Sequence, residues 1–200
     1  MKNISIPENS SNFEEAKARS RSRLTEFLSA MPKDLDVRDD VIAQQLRCDN
    51  SSAKSKLGKI YSLIAEVSQA VQPYVACGKG CSDCCKMNVS ISLMEAERLA
   101  AVSRKSMAVV NHPVRHSDDR FSGVPCPFLV EDACSVYEAR PYACRAHYSF
   151  DTSAYWCHPE RSHEGEMSLL QMGGARKAYE EIVLNSRLHG FADIRDFFPD

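Results

Sequence analysis

Cys77-Gly78-Lys79-Gly80-Cys81-Ser82-Asp83-Cys84-Cys85 puts four thiols into one short loop. A structural cysteine is usually a small buried hydrophobe, and such residues do not cluster as C-x3-C-x2-C-C. Gly78 and Gly80 let the backbone curl around an ion without side-chain clashes. Further out, Cys126, Cys134, Cys144 and Cys157 follow the loop. Cys48 stands apart and reads as an ordinary buried hydrophobe. Disulfides compete with metal binding as the explanation of the cluster. The amino terminus has no apolar signal-peptide core, and in a compartment that keeps thiols reduced such spacing points to metal.

Composition narrows the field. The chain has 200 residues, with 25 Lys and Arg against 27 Asp and Glu. Near-balanced charge argues against a nucleic-acid binder working through bulk electrostatics. No apolar run approaches the ~18 residues of a membrane span. A soluble cytoplasmic protein, with no membrane partner and no nucleic acid, is the expectation. A chain of this length buries roughly 70% of its unfolded surface, so it needs no metal merely to build a core.

The first third reads as helical. One helix runs from Phe13 to Met31 and is closed by Pro32. Asp36 is placed to cap a second, which carries Val37, Val41, Ile42 and Leu46. Asp49-Asn50-Ser51-Ser52 offers caps for a third helix from Ala53 towards Gln72, ended by Pro73. Its Leu57, Ile60, Ile64, Val67 and Val71 form one apolar stripe. Val89-Ser90-Ile91 is a short extended piece. Ser92-Leu93-Met94-Glu95 is a capping box that opens a helix through Ser103. A polar connection follows from Lys105 to Val124. Cys134 to Pro141 suggests one helical turn, and Cys144 to Cys157 irregular structure pinned by its ligands. A last helix is expected from Glu166 to His189, weakened in its middle by Gly173-Gly174 and stopped by Gly190.

The expected fold is therefore mainly α, with irregular cysteine-rich loops organised around a metal centre and little β. A helical amino-terminal extension spans residues 1–50. A cysteine-cluster domain spans 51–200, with its motif core at 74–158 and a carboxy-terminal helix.

Thiolates are soft ligands that select zinc, copper(I) or iron–sulfur centres. The spacing lets Cys77, Cys81 and Cys84 share a site. The Cys84-Cys85 doublet suggests two centres side by side or one multinuclear centre. Eight thiolates could supply two four-ligand sites, or one site plus a reactive remainder. Lys79, Lys86, Arg140 and Arg145 lie close enough in sequence to offset thiolate charge. Arg140 and Arg145 are the better placed, and the two lysines read equally well as solvated surface groups. Among the histidines, His147 and His158 follow cysteines closely. His112 and His116 have zinc-like H-x3-H spacing but no cysteine nearby, and His163 and His189 read as surface residues. The C-x3-C-x2-C spacing also occurs in radical S-adenosylmethionine enzymes. Those enzymes place an aromatic residue before the third cysteine, where this chain has Asp83, and their motif follows a strand rather than a helix.

Cys77-x3-Cys81-x2-Cys84-Cys85, Cys126-Pro127-Phe128-Leu129 and Cys134-Ser135-Val136-Tyr137-Glu138-x-Arg140-Pro141-x2-Cys144-Arg145 together resemble the YkgJ-like cysteine-cluster family, a zinc- or iron-chelating type of domain. Ser149-Phe150-Asp151 and Cys157 resemble one branch of it. The resemblance covers residues 74–158. It implies metal-ligand roles for Cys77, Cys81, Cys84, Cys85, Cys126, Cys134, Cys144 and Cys157, and leaves Cys48 outside. The expected function is chelation of an iron–sulfur cluster or Zn2+, with iron–sulfur slightly favoured, in a structural, electron-transfer or sensing role. The flagellin lysine methylases share a similar cysteine pattern, so the alternative is a protein-modifying methyl or redox enzyme on the same centre. Arg145, His147 and Tyr148 would then be its candidate residues, although no glycine-rich cofactor loop follows a strand. A third alternative is a metal-shaped binding module whose amino-terminal helices engage a protein partner.

Overall fold

The structure, a computed structural model, describes residues 10–117, 119–161, 167–185 and 190–199. Three helices open the chain: α1 (Ser10–Ala30), α2 (Lys33–Cys48) and α3 (Ala53–Val71). Then come β1 (Ser90–Ser92), α4 (Leu93–Ser103), β2 (Leu129–Val130), β3 (Ala133–Cys134) and α5 (Tyr142–Arg145). α6 (Gly173–Asn185), β4 (Phe191–Asp193) and α7 (Ile194–Phe197) complete it. The molecule is mainly helical, and no described helix is long and apolar enough to cross a membrane.

Local signals account for several boundaries. The Ser52 side chain accepts from the Ser55 N–H and caps α3, whose predicted apolar stripe is buried throughout. Pro73 lies in the 3₁₀ turn Gln72–Tyr74, where α3 ends. Asp36 does not cap α2. The helix starts directly after Pro32, so Asp36 joins Asp34 in the first turn, where carboxylates complement the helix dipole. Val89-Ser90-Ile91 is extended as expected, but its partner is remote: β1 runs antiparallel to β4, with Ser90 opposite Asp193. β2 and β3 form a hairpin whose turn residues Glu131 and Asp132 have φ of 49° and 57°.

Two apolar cores result. The larger joins α2, α3 and α6 through Leu35, Ile42, Leu46, Ile60, Ile64 and Ile182, and takes in Phe27, Tyr148 and Phe150. The smaller joins α4, β1, β4 and α7 through Ile91, Leu99, Ala192, Ile194 and Phe197, with Phe128 and Val136.

The Glu95 carboxylate links them. Glu95 is 1% exposed, and its Oε1 accepts from Tyr61 Oη at 2.6 Å and the Tyr142 N–H at 2.7 Å. Its Oε2 accepts from Tyr179 Oη at 2.6 Å and from the Ser92 N–H and Oγ, each at 2.9 Å. One carboxylate thus closes the capping box of α4 and also holds α3, α5 and α6. Burial and the adjacent negative charge push the Tyr61 and Tyr179 phenols well above their ordinary range, so both stay protonated as donors. Tyr142 and Tyr179 stack with ring centroids 4.4 Å apart.

The last long helix differs from expectation. α6 begins at Gly173, so the glycine pair opens the helix instead of weakening its middle. The expected start at Glu166 and stop near His189 lie outside the described residues. The reason for the glycine is close approach: a Cβ on Gly174 would lie 1.5 Å from the Asp39 carbonyl oxygen. The Asp39 carboxylate accepts from the Gly174 and Ala175 N–H groups at 3.1 and 2.8 Å, capping α6 from α2. Gly190 lies against the Val110 backbone and the Leu93 side chain. A Cβ there would meet the Val110 carbonyl oxygen at 2.2 Å, so packing requires the glycine.

Glu95→Ala is expected to cost roughly 3 kcal/mol or more by orphaning buried donors, and Tyr61→Phe or Tyr179→Phe roughly 1.5–3 kcal/mol each. Urea midpoints at unchanged slope measure both effects. Gly174→Ala should destabilise by roughly 1–3 kcal/mol through overpacking. Gly173→Ala, which meets nothing within 4 Å, should instead be neutral or stabilising by up to about 1 kcal/mol. Equal losses from the two glycine variants would contradict the packing account.

Candidate metal centre

The cysteine loop is shaped mostly by its own backbone. The Cys81 N–H donates to the Gly78 carbonyl at 3.1 Å, and Gly80 turns the chain at φ 94°. Asp83–Lys86 is a 3₁₀ turn that carries the doublet. Remote segments then dock on it. The Cys126 N–H donates to the Cys85 carbonyl at 2.7 Å and the Gly123 N–H to the Lys86 carbonyl at 2.8 Å. Cys134 lies on β3 opposite Leu129, Cys144 on α5, and Cys157 in the 3₁₀ turn Tyr155–Cys157.

Six of the eight predicted ligands converge. Cys81, Cys84, Cys85, Cys126, Cys134 and Cys144 line one chamber of about 100 Å³, together with Arg140 and His147. Cys77 and Cys157 do not line it. The Ser149 N–H donates to Cys77 Sγ at 3.1 Å, and His147 Nε2 lies 3.4 Å from Cys157 Sγ. Among the described residues, no three His, Cys, Asp or Glu side chains already stand at the spacing of a metal's ligands. Cys48 is exposed at the end of α2, not buried as its isolation suggested, because the buried face of that helix is carried by Leu35, Ile42, Ala43 and Leu46.

Burial governs the thiols. It raises Cys77, Cys81, Cys134 and Cys144, pushes Cys126 up to about 11 and Cys157 up to about 12. The doublet behaves oppositely within itself. Cys84 donates to Cys85, which lowers Cys85 and raises Cys84. Arg140, Arg195 and Lys86 lower Cys85 further. Arg140 lies over the Tyr137 ring at 3.6 Å and also lowers Cys77, Cys134 and Cys144.

Arg195 was not legible in the sequence. It is 8% exposed on α7, far along the chain from the cluster. Its guanidinium donates to the carbonyls of Cys85 at 3.2 Å, Met87 at 3.2 Å and Val124 at 2.5 Å, and pairs with Asp193 at 2.9 Å. It thereby fastens both cysteine segments to the terminal strand. Only its basic character beside Asp193-Ile194 was available as a signal, and nothing local ties that to cysteines.

The other candidates separate cleanly. His116 pairs with Asp196 at 2.9 Å and His112 with Asn111 at 3.0 Å, so their H-x3-H spacing does not converge on the cluster. His163 and His189 lie outside the described residues. Lys79 is exposed. Arg145 lies over the Tyr61 ring and donates to the Arg140 carbonyl at 2.6 Å and to the Glu138 carbonyl, while Tyr148 Oη bonds Ser68 Oγ at 2.8 Å. His147 alone of those three faces the chamber.

The donor set fits a soft metal. The chamber lining offers six thiols and no carboxylate, which suits zinc or iron–sulfur and not magnesium or calcium. Comparison with curated proteins and with solved structures gives no match. The model of the CxxCxxCC family, described as a "putative zinc- or iron-chelating domain", matches residues 76–160. The segment that holds all eight clustered cysteines is thus similar to this cysteine-cluster family.

Proposed function

We propose that the chain chelates zinc or iron through Cys77, Cys81, Cys84, Cys85, Cys126, Cys134, Cys144 and Cys157. The observation that carries this reading is the chamber ringed by six thiols without a competing carboxylate. Its volume of about 100 Å³ compares with the roughly 10–15 Å³ that one water-sized occupant needs. That room favours an iron–sulfur cluster or more than one ion over a single zinc. Such a centre would supply either redox chemistry or a cross-link between loops that lack a common core. Arg140 and Arg195 supply the positive charge that a thiolate-rich centre needs nearby. Burial keeps the clustered thiols other than Cys85 protonated at neutral pH, and ligation would release those protons.

Anaerobic purification followed by an absorption spectrum and iron, zinc and sulfide analysis distinguishes the two chemistries. Matched iron and acid-labile sulfide would identify a cluster, and a colourless protein with stoichiometric zinc the other case. Cys81→Ser and Cys84→Ser are each expected to lower bound metal and the melting temperature. Unchanged metal content and melting in both variants would remove the chelation reading. Because Cys126 and Cys157 are raised to about 11 and about 12, binding at neutral pH must release protons. Metal addition should therefore acidify a weakly buffered sample, and lowering the pH should weaken binding.

A further inference from the structure

His147 meets the thiols inside the chamber and those outside it. It lines the chamber with six cysteines, and its Nε2 lies 3.4 Å from the sulfur of Cys157, which does not line it. Its carbonyl accepts from Cys77 Sγ at 3.8 Å, and two residues on the Ser149 N–H donates to the same sulfur at 3.1 Å. The Ser149 carbonyl fastens this run to the start of the cysteine loop by accepting from the Ala76 N–H at 2.9 Å. Cys144, carried by α5 three residues before His147, lines the chamber as well. Cys144-x2-His147 has the spacing of paired zinc ligands.

We infer that His147 is itself a ligand of the centre through Nε2, so that one imidazole nitrogen enters an otherwise all-sulfur donor set. This rests on the chelation reading above and deepens it by naming a ligand of different chemistry. The distance supports ligation. With zinc–nitrogen bonds of roughly 2.0–2.1 Å and zinc–sulfur bonds of roughly 2.3 Å at the tetrahedral angle, nitrogen and sulfur on one ion stand roughly 3.5 Å apart. The 3.4 Å between Nε2 and Cys157 Sγ matches that edge, so both atoms reach a common ion without moving relative to each other. Sharing an ion with His147 also brings Cys157 into the centre, although it does not line the chamber. His158, the other histidine beside Cys157 in sequence, is engaged elsewhere: its Nδ1 accepts from the Glu160 N–H at 3.4 Å. A neutral imidazole in place of a thiolate leaves the centre one unit less negative, and in an iron–sulfur cluster histidine ligation raises the reduction potential. His147 further lines a second cavity of about 360 Å³ with Leu170, Met172 and Arg176, so it stands between the thiols and this outer space.

The test is X-ray absorption at the edge of the bound metal, on untagged full-length protein purified anaerobically, with the rate of metal loss to a chelator measured on the same samples. Wild type should show a nitrogen shell with the outer scattering of an imidazole beside its sulfur shell. Glutamine keeps an N–H donor for Cys157 but is a poor ligand for a soft metal. His147→Gln should therefore lose the imidazole scattering and release metal roughly tenfold faster or more. His147→Cys should regain slow release with sulfur alone around the metal. A metal-loaded wild type with sulfur alone, or a His147→Gln variant that matches wild type, would overturn the assignment. If His147→Gln loses its helical circular dichroism, the wild-type spectrum decides together with His158→Gln, which should keep the imidazole signal. A wild-type protein that holds neither zinc nor iron would remove the chelation reading itself, an outcome distinct from metal held by sulfur alone.

Discussion

A single buried carboxylate sets the geometry on which the cysteine region depends. Glu95 sits between the two cores, and an uncompensated charge there would cost several kcal/mol. Its charge is tolerated because Tyr61, Tyr142, Tyr179 and Ser92 all donate to it. Those donors come from α3, α5, α6 and the strand before α4, so satisfying one group fixes the relative positions of four segments. α5 carries Cys144, and its first N–H is held by Glu95. The placement of at least one thiol therefore follows from a capping interaction elsewhere in the chain.

The cysteine chamber lies on the seam between the cores and belongs wholly to neither. Cys126, Cys134 and Cys144 lean on the smaller core, while Tyr148 and Phe150, on the segment that follows Cys144, are sunk in the larger. α1 reinforces the second side. Arg19 forms an ion pair at 2.6 Å with Asp151, which has no solvent exposure, and Phe27 packs on Phe150 with ring centroids 6.0 Å apart. Arg23 donates to the carbonyls of Pro73 and Tyr74, just ahead of the cysteine loop. A helix that carries none of the clustered cysteines thus holds the ends of the segments that do.

Charge compensation is organised in the same indirect way. Burial alone would keep the thiols neutral, and a chamber of neutral thiols has little attraction for a cation. Arg140 and Arg195 act against that tendency at Cys85. Arg140 sits within the cysteine motif, where its neighbours in sequence are also its neighbours in space. Arg195 reaches the same residue from the carboxy terminus because β4 pairs with β1 and carries α7 to the back of the loop.

The sequence by itself determined whatever depends on residue type and short spacing. The clustered thiols announced soft-metal chemistry, Ser52 capped α3, Ser92 and Glu95 formed their capping box, and the apolar stripe of α3 was buried. Each is a local interaction whose partners are a few residues apart. Tertiary structure alone decided which face of Glu95 would gather tyrosines, that Gly174 opens α6 against Asp39, that β1 finds β4, and that Arg195 lies under Cys85. These contacts join residues tens of positions apart, and their energies come from excluding water and satisfying buried polar groups, conditions that exist only once the chain has packed.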